Sequence, residues 1–322
     1  MVRPGTPAGI DGYLRETLGR ELWLGVYLGP PRAVQKPVLQ LISPGSGTFA
    51  FAKLGVTPYT RDLVRTEVAV LARLRDVSWQ HLRIPAVLHH GHWHSHEVLV
   101  LQALRRRRTG SDSSPPELIT QAAVELARCR GTRSTPVLNS DYWQSLRSRI
   151  ESLTGGPSPA AATLGHAVEH LQEHLSTSVG SATVTGGPVI EFGAWHGDWA
   201  DWNLAVSGDH VLVWDWELFG DDVPLGFDAV HRKVQNGVIF GGLSPQQSFA
   251  QALEHSPELL APFAVTPAHA GLVTLLYTVE IATRYLEVAE HSTLLADLDG
   301  WLAPVITRLL GLFEARDSPT RA

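Results

Sequence analysis

The densest group of chemistry-bearing residues is the run His196-Gly197-Asp198-Trp199-Ala200-Asp201-Trp202-Asn203, followed shortly by Trp214-Asp215-Trp216-Glu217. It gathers Asp198, Asn203 and Asp215 within 18 residues. A carboxylate, an amide five residues later and a second carboxylate closing the apolar run Val211-Leu212-Val213 match the needs of phosphoryl transfer. One group faces the attacking hydroxyl, and two oxygens hold magnesium against phosphates, since magnesium takes one or two protein oxygens and keeps several waters. Gly208-Asp209 predicts a hairpin that returns Asp215 to the side of Asn203. Asp198 is then placed to take a proton from a hydroxyl, or to orient it. Singly, each of these residues reads equally well as a turn former; the set does not.

Lys53 is a second focus. Lysine is scarce, with only Lys36, Lys53 and Lys233 among 26 basic residues. Lys53 closes Thr48-Phe49-Ala50-Phe51-Ala52, where alternation puts it on the face of Phe49 and Phe51. A lysine on a buried face needs an anion. Glu67, on the following helix, is one partner; nucleotide phosphates are another. Glu217 reads as a metal-shell supplement or as a turn cap.

The elements that must position these groups fall into two regions. Residues 9–19 read as a short amphipathic helix. Strands are expected over 22–28, 37–42, 48–54, 86–90 and 97–101, with a helix over 61–74 on 3.6-residue periodicity. Pro44-Gly45-Ser46-Gly47 is a hairpin turn between the second and third strands. Beyond the Ser/Pro-rich break 105–116 the chain reads as helical, with helices over 116–130, 140–154, 159–176, 225–240, 245–255, 267–290 and 296–314. Short strands near 203–206 and 210–214 interrupt them. Four consecutive arginines in the break read as a solvated loop. A cleft between two such lobes is a common small-molecule site.

Composition limits the alternatives. A net charge of −6 and a pI near 6.2 give no basic field, so nucleic acid is not an expected partner. The single Cys129 excludes an intramolecular disulfide and a thiolate zinc site. His89, His90, His92, His94 and His96 could bind metal, but read better as a polar strand-turn-strand. No signal-peptide core is evident, and the apolar stretch 270–289 is broken by Glu280, Arg284 and Glu287, so the expected location is the cytoplasm with no membrane partner. Those three residues share one helix face. They suit a cationic substrate, or more simply a Glu280–Arg284 ion pair. Five of the ten tryptophans flank the motif, as a substrate platform or as packing; Trp195 and Trp214 read as support, and Trp199 as a group reaching the acceptor. His196 reads as a hydrogen-bonded prop for the loop.

With these residues in view, the chain resembles the aminoglycoside phosphotransferase-type family of small-molecule kinases. HGDWADWN is similar to that family's catalytic-loop signature and VWDWE to its metal-binding segment. The resemblance implies an α+β, bilobal protein-kinase-like fold. A small β-rich N-lobe (1–104), with a five-stranded antiparallel sheet and one helix, would bind nucleotide. A larger, mainly helical C-lobe (105–322) would carry the catalytic loop and the acceptor site. It implies Asp198 as catalytic base, Asn203 and Asp215 as ligands of Mg2+, and Lys53, oriented by Glu67, on the phosphates. Gln102, Ala103 and Leu104 would form the connector that contacts adenine, and Asp228, in Pro224-Leu225-Gly226-Phe227-Asp228, would support the catalytic loop. Two departures stand out. Gly29-Pro30-Pro31-Arg32 replaces a glycine-rich phosphate loop, shifting phosphate grip toward Lys53, magnesium and Arg32. Phe51 would stack on the base or narrow its pocket, so that GTP stays open beside ATP as the donor. The expected activity is transfer of the γ-phosphoryl of ATP (or GTP) to a hydroxyl of a small molecule, an aminoglycoside-like compound or another metabolite. The alternatives are a catalytically weak nucleotide-binding protein with a sensing or scaffolding role, and a metal-dependent phosphate hydrolase. Acceptor and oligomeric state are not legible.

Overall fold

The computed structural model describes residues 9–27, 36–105, 116–155, 158–177, 186–290 and 298–317. The Gly29–Arg32 segment and the arginine run from residue 106 onward lie outside these. Contacts divide the chain into two units, Met1–Ser114 with Asn203–Phe219, and Pro115–Trp202 with Gly220–Ala322. A single cut near residue 104 does not describe this division, because Asn203–Phe219 returns to the first unit.

The first unit opens with α1 (Ile10–Leu18), β1 (Trp23–Tyr27), β2 (Val38–Ser43), β3 (Gly47–Gly55), α2 (Pro58–Leu74), β4 (Leu82–Arg83), β5 (Val87–Trp93) and β6 (His96–Gln102). Five of the strands form an antiparallel sheet in the order β1-β2-β3-β6-β5. Leu14 of α1 packs with Leu39, Leu41, Ala50, Ala52, Val98 and Val100 in a small apolar cluster. A bulge in β3 between the pairs Leu41–Ala50 and Ile42–Thr48 leaves Phe49 without a register partner on β2 and packed against that cluster, so Phe49 does not share a face with Lys53. Helix α2 starts at Pro58 rather than 61. Thr57 and Thr60 close a reciprocal capping box, and Pro58 occupies the first turn, where its missing N–H costs nothing.

The second unit begins with α3 (Pro116–Arg128), β7 (Arg133–Pro136), α4 (Asp141–Thr154), α5 (Pro159–Thr177) and β8 (Val189–Trp195). The chain then gives β9 (Leu204–Ser207) and β10 (His210–Val213) to the first unit, where β10 pairs with β9 antiparallel and with β4 in parallel. The second unit resumes with β11 (Gly220–Pro224), α6 (Phe227–Ile239), α7 (Pro245–Glu254), α8 (Ser256–Leu260), α9 (Pro267–Ala289) and α10 (Leu298–Asp317). Strands β11, β8 and β7 form its sheet, with β8 central. One apolar core joins α4, α5, α6, α7, α9 and α10 to β8. Helix α9 is buried on nearly every side and is mainly apolar, with Glu280, Arg284 and Glu287 along one face. Among the described residues no single helix is long and apolar enough to cross a membrane.

Candidate active site

In the first unit three elements converge on Lys53. Strand β3 presents it at 5% exposure, and its Nζ donates to both carboxylate oxygens of Glu67 on α2, at 2.7 Å each. The same ammonium donates to Asp215 Oδ1, just beyond β10. Glu67, fully buried, also accepts the backbone N–H of Trp216. Burial works against the lysine charge. The carboxylates of Asp215, Glu67 and Glu217 outweigh it and hold the ammonium well above the ordinary lysine range. Burial likewise pushes the Glu67 carboxyl up, opposed by Lys53. Asp215 adopts left-handed backbone, φ 66°, a conformation uncommon outside glycine that aspartate tolerates better than most. Glu217 is paired with Lys36.

The β9–β10 hairpin sets Asn203 opposite Trp214, whose N–H donates to the Asn203 carbonyl, so the side chains of Asn203 and Asp215 flank one strand end. Asn203 is buried, whereas the Asp215 side chain is 42% exposed and accessible to a cation. Among the described residues no group of three or more His, Cys, Asp or Glu side chains forms a metal cluster. One amide and one carboxylate are hard-oxygen donors of the kind magnesium takes.

Phe51, two residues before Lys53, is 37% exposed. The N–H groups of Gln102 and Ala103 are consumed within the sheet, by Ala86 O and Phe49 O at 2.9 Å each. Gly45 and Gly47 have positive φ in the β2–β3 turn and serve as hairpin glycines. In the histidine-rich hairpin, His90 and His92 gather with Arg65 around the buried carboxylate of Glu97, and His89 bonds Tyr13.

The second unit holds Asp198. Gly197, φ 85°, turns the chain sharply out of β8, which only glycine does without strain. Two backbone N–H groups of this turn, His196 and Gly197, donate to Asp228 Oδ2 and Oδ1 at 2.7 and 3.1 Å. The first turn of α6 therefore anchors the loop, as the sequence resemblance implied. Burial pushes the Asp228 carboxyl up to about 7 against those two bonds. The Asp198 N–H donates to His196 Nδ1, which makes His196 a prop. Arg284 of α9 donates to Gly197 O at 2.9 Å and lies over the Trp195 ring.

The Asp198 carboxylate itself is held from two sides. His231 Nε2 lies 3.1 Å from Oδ1 and Trp202 Nε1 3.4 Å from Oδ2. Burial opposes its charge, but the His231 hydrogen bond, the nearby imidazoles and Trp202 together keep the carboxyl well below the ordinary range. Neither His231 nor Trp202 was legible as a partner of Asp198. Trp199 is 1% exposed and packs as a support, so it reaches no acceptor; Trp202, tilted against the 64%-exposed Phe240, takes the outward position instead. The expected Glu280–Arg284 pair is also replaced. Arg149 of α4 binds Glu280 and Glu287 in two forks, at 2.7 to 3.1 Å, and frees Arg284 for the loop.

The architecture is the kinase-like α+β fold found in small-molecule phosphotransferases. The chain matches spectinomycin phosphotransferase in complex with ADP and spectinomycin over 94% of its own length and 98% of that chain, with TM-score 0.51 and 11% identity. It matches a protein assigned as a fructosamine-3-kinase from Haemophilus somnus 129PT over 94% and 96%, with TM-score 0.50 and 14% identity. The GDP and kanamycin complex of APH(2")-IIIa matches over 91% and 94%, with TM-score 0.50 and 14% identity. At these identities the likeness is one of fold. No protein-family model and no curated protein matches the chain.

Proposed function

We propose that this protein transfers the γ-phosphoryl group of a nucleoside triphosphate to a hydroxyl of a small molecule. The observation that carries the reading is the buried Lys53 ammonium, held by Glu67 and Asp215 at the end of a hairpin that also bears Asn203. A lysine fixed between two carboxylates in a nucleotide-binding fold is a phosphate grip. The solved counterparts, with ADP and spectinomycin in one and GDP and kanamycin in another, support the same class of reaction.

In this reading Lys53 steadies the phosphates and Glu67 steadies Lys53. Asn203 and Asp215 would hold a magnesium ion, which would supply positive charge against the phosphates. Asp198 accepts a hydrogen bond from the acceptor hydroxyl and aims its oxygen at phosphorus. The new O–P bond forms as the bond to the leaving diphosphate oxygen breaks. The hydroxyl proton passes to Asp198 and then to solvent. Because Asp198 is a weak base, the proton leaves late, and orientation supplies most of its effect. Phe51 lies on the exposed side of β3 for a nucleobase to stack on. With the Gln102 and Ala103 N–H groups already bonded, base contacts at the connector fall to carbonyl oxygens, side chains and Leu104. ATP and GTP both remain donors in this reading. Trp202 and Phe240 offer the acceptor a ring to stack on.

The test is a turnover assay with γ-labelled ATP and GTP against a panel of sugars, cyclitols, amino alcohols and aminoglycosides. A labelled product is expected with at least one hydroxyl acceptor. Asp198→Ala should lower its formation by about 10² to 10⁴ while nucleotide still binds. Product formation unchanged in that variant would overturn the assignment.

A further inference from the structure

Helix α6 does more than anchor the loop backbone. Asp228 and His231 stand three residues apart and so share one helix face. Asp228 takes the two loop N–H groups, and His231 meets the Asp198 side chain. Behind His231, Tyr277 of α9 places its hydroxyl 3.1 Å from Nδ1, with the two rings edge to face. Both His231 and Tyr277 are buried.

The chemistry of these three groups selects one tautomer. A carboxylate only accepts hydrogen bonds, so the nitrogen facing Asp198 must carry hydrogen. A neutral imidazole then has its lone pair on Nδ1, and the Tyr277 hydroxyl donates there. The opposite tautomer would set a lone pair against the carboxylate. Burial, helped by the nearby Arg284, favours the neutral ring and outweighs the opposing pull of the Asp198 carboxylate. The proton of the acceptor hydroxyl therefore has no vacant site on Nε2, and a relay through His231 is disfavoured.

We propose that His231 is a positioning residue for phosphoryl transfer: Tyr277 fixes its Nε2–H tautomer, and that N–H fixes the rotation of the Asp198 carboxylate. The terminal torsion of aspartate is broad and roughly twofold, so an unrestrained carboxylate would sample many orientations. His231 on Oδ1 and Trp202 on Oδ2 restrict it from opposite oxygens. The proposal rests on the phosphotransferase reading for its kinetic consequence, but not for its geometry.

The experiment compares His231→Leu, His231→Gln and Tyr277→Phe in the full chain. The glutamine amide nitrogen reaches the place of Nε2 and restores the donor. His231→Leu should lower kcat about 10- to 100-fold with the nucleotide KM nearly unchanged, the signature of lost orientation. Its acid limb of activity should move to higher pH, because Asp198 loses a donor while Arg284, His196 and Asp228 stay in place. His231→Gln should recover most of kcat, and Tyr277→Phe should fall between. ¹⁵N-imidazole spectra of the wild type should show His231 protonated on Nε2, a readout independent of turnover. An Nδ1–H tautomer, or a folded His231→Leu with unchanged kcat and acid limb, would overturn the proposal. Should the leucine variant not fold, a glutamine variant no better than one lacking Asp198 overturns it equally. An Nε2–H tautomer with no phosphoryl transfer to any acceptor would instead sink the phosphotransferase reading and leave the geometry standing.

Discussion

Lys53 shows how much a single side chain carries. Its ammonium and the Glu67 carboxylate are both out of water, and each is tolerable only because of the other. Lys53→Met should therefore cost about 3–5 kcal/mol in urea unfolding, since it strands a buried carboxylate. The double variant Lys53→Met/Glu67→Gln should recover a good part of that loss without regaining phosphate grip. Equal destabilisation of the single and double variants would show that charge pairing is not the cause. Lys53 and Glu67 were legible in the sequence because each is the one residue of its type in its own short run, FAFAKLG and RTEVAVL, whereas Asp198, with Asp201 three residues on, and Asp228 were legible through the motif resemblance. His231, Tyr277, Trp202 and Arg149 were not. Their partners lie on other elements, and nothing in the spacing around Arg149 shows that it meets a helix 131 residues later. Glu280 was misassigned for the same reason. The local i,i+4 rule is worth a few tenths of a kcal/mol and yields readily to a forked arginine.

Among the elements, α6 carries the largest share of the loop's geometry, and its start depends on Gly226. This residue has φ 93°, and a Cβ there would lie 2.4 Å from Leu260 Cδ2 of α8. Gly226→Ala is expected to cost about 2 kcal/mol, combining strained backbone with the clash. Because the same turn bears Asp228 and His231, kcat should fall with stability, which the turnover assay and urea unfolding measure together. Lost stability with full kcat would show that the loop does not depend on the seat of α6. The main helices were readable from periodicity, and the five strands of the first sheet from alternation and turn glycines. β7 (RSTP) and β11 (GDDVP) were not, being short, polar and proline-bearing edge strands that exist because β8 lies between them. β8 itself (VIEFGAW) is a nearly continuous apolar run, a pattern that does not separate strand from buried helix.

Across the whole molecule, the chain's return through Asn203–Phe219 was invisible to composition, since only contacts reveal which sheet a short hairpin joins. The titration of the second unit was equally hidden, and it predicts a particular balance with pH. His231 titrates below its ordinary value of 6.5, so the unfolded chain binds its proton first. Its contribution to stability is full above about 6.5 and is lost as the pH falls. Asp228 behaves oppositely. Its carboxyl titrates near 7 when folded and 3.8 ordinarily, so the folded chain holds a proton that the unfolded chain releases between those values. Stability from Asp228 therefore grows as the pH falls from 7 toward 4. Asp198, held below 3.8, loses its contribution only in stronger acid. Between pH 5 and 7 the first two trends oppose one another in the wild type. Removing one partner exposes the other. His231→Gln should become more stable relative to wild type as the pH falls from 7 to 5, and Asp228→Asn less stable. Urea unfolding at pH 5, 6 and 7 measures all three proteins, and parallel profiles would show that neither group titrates in the buried surroundings that the fold gives it.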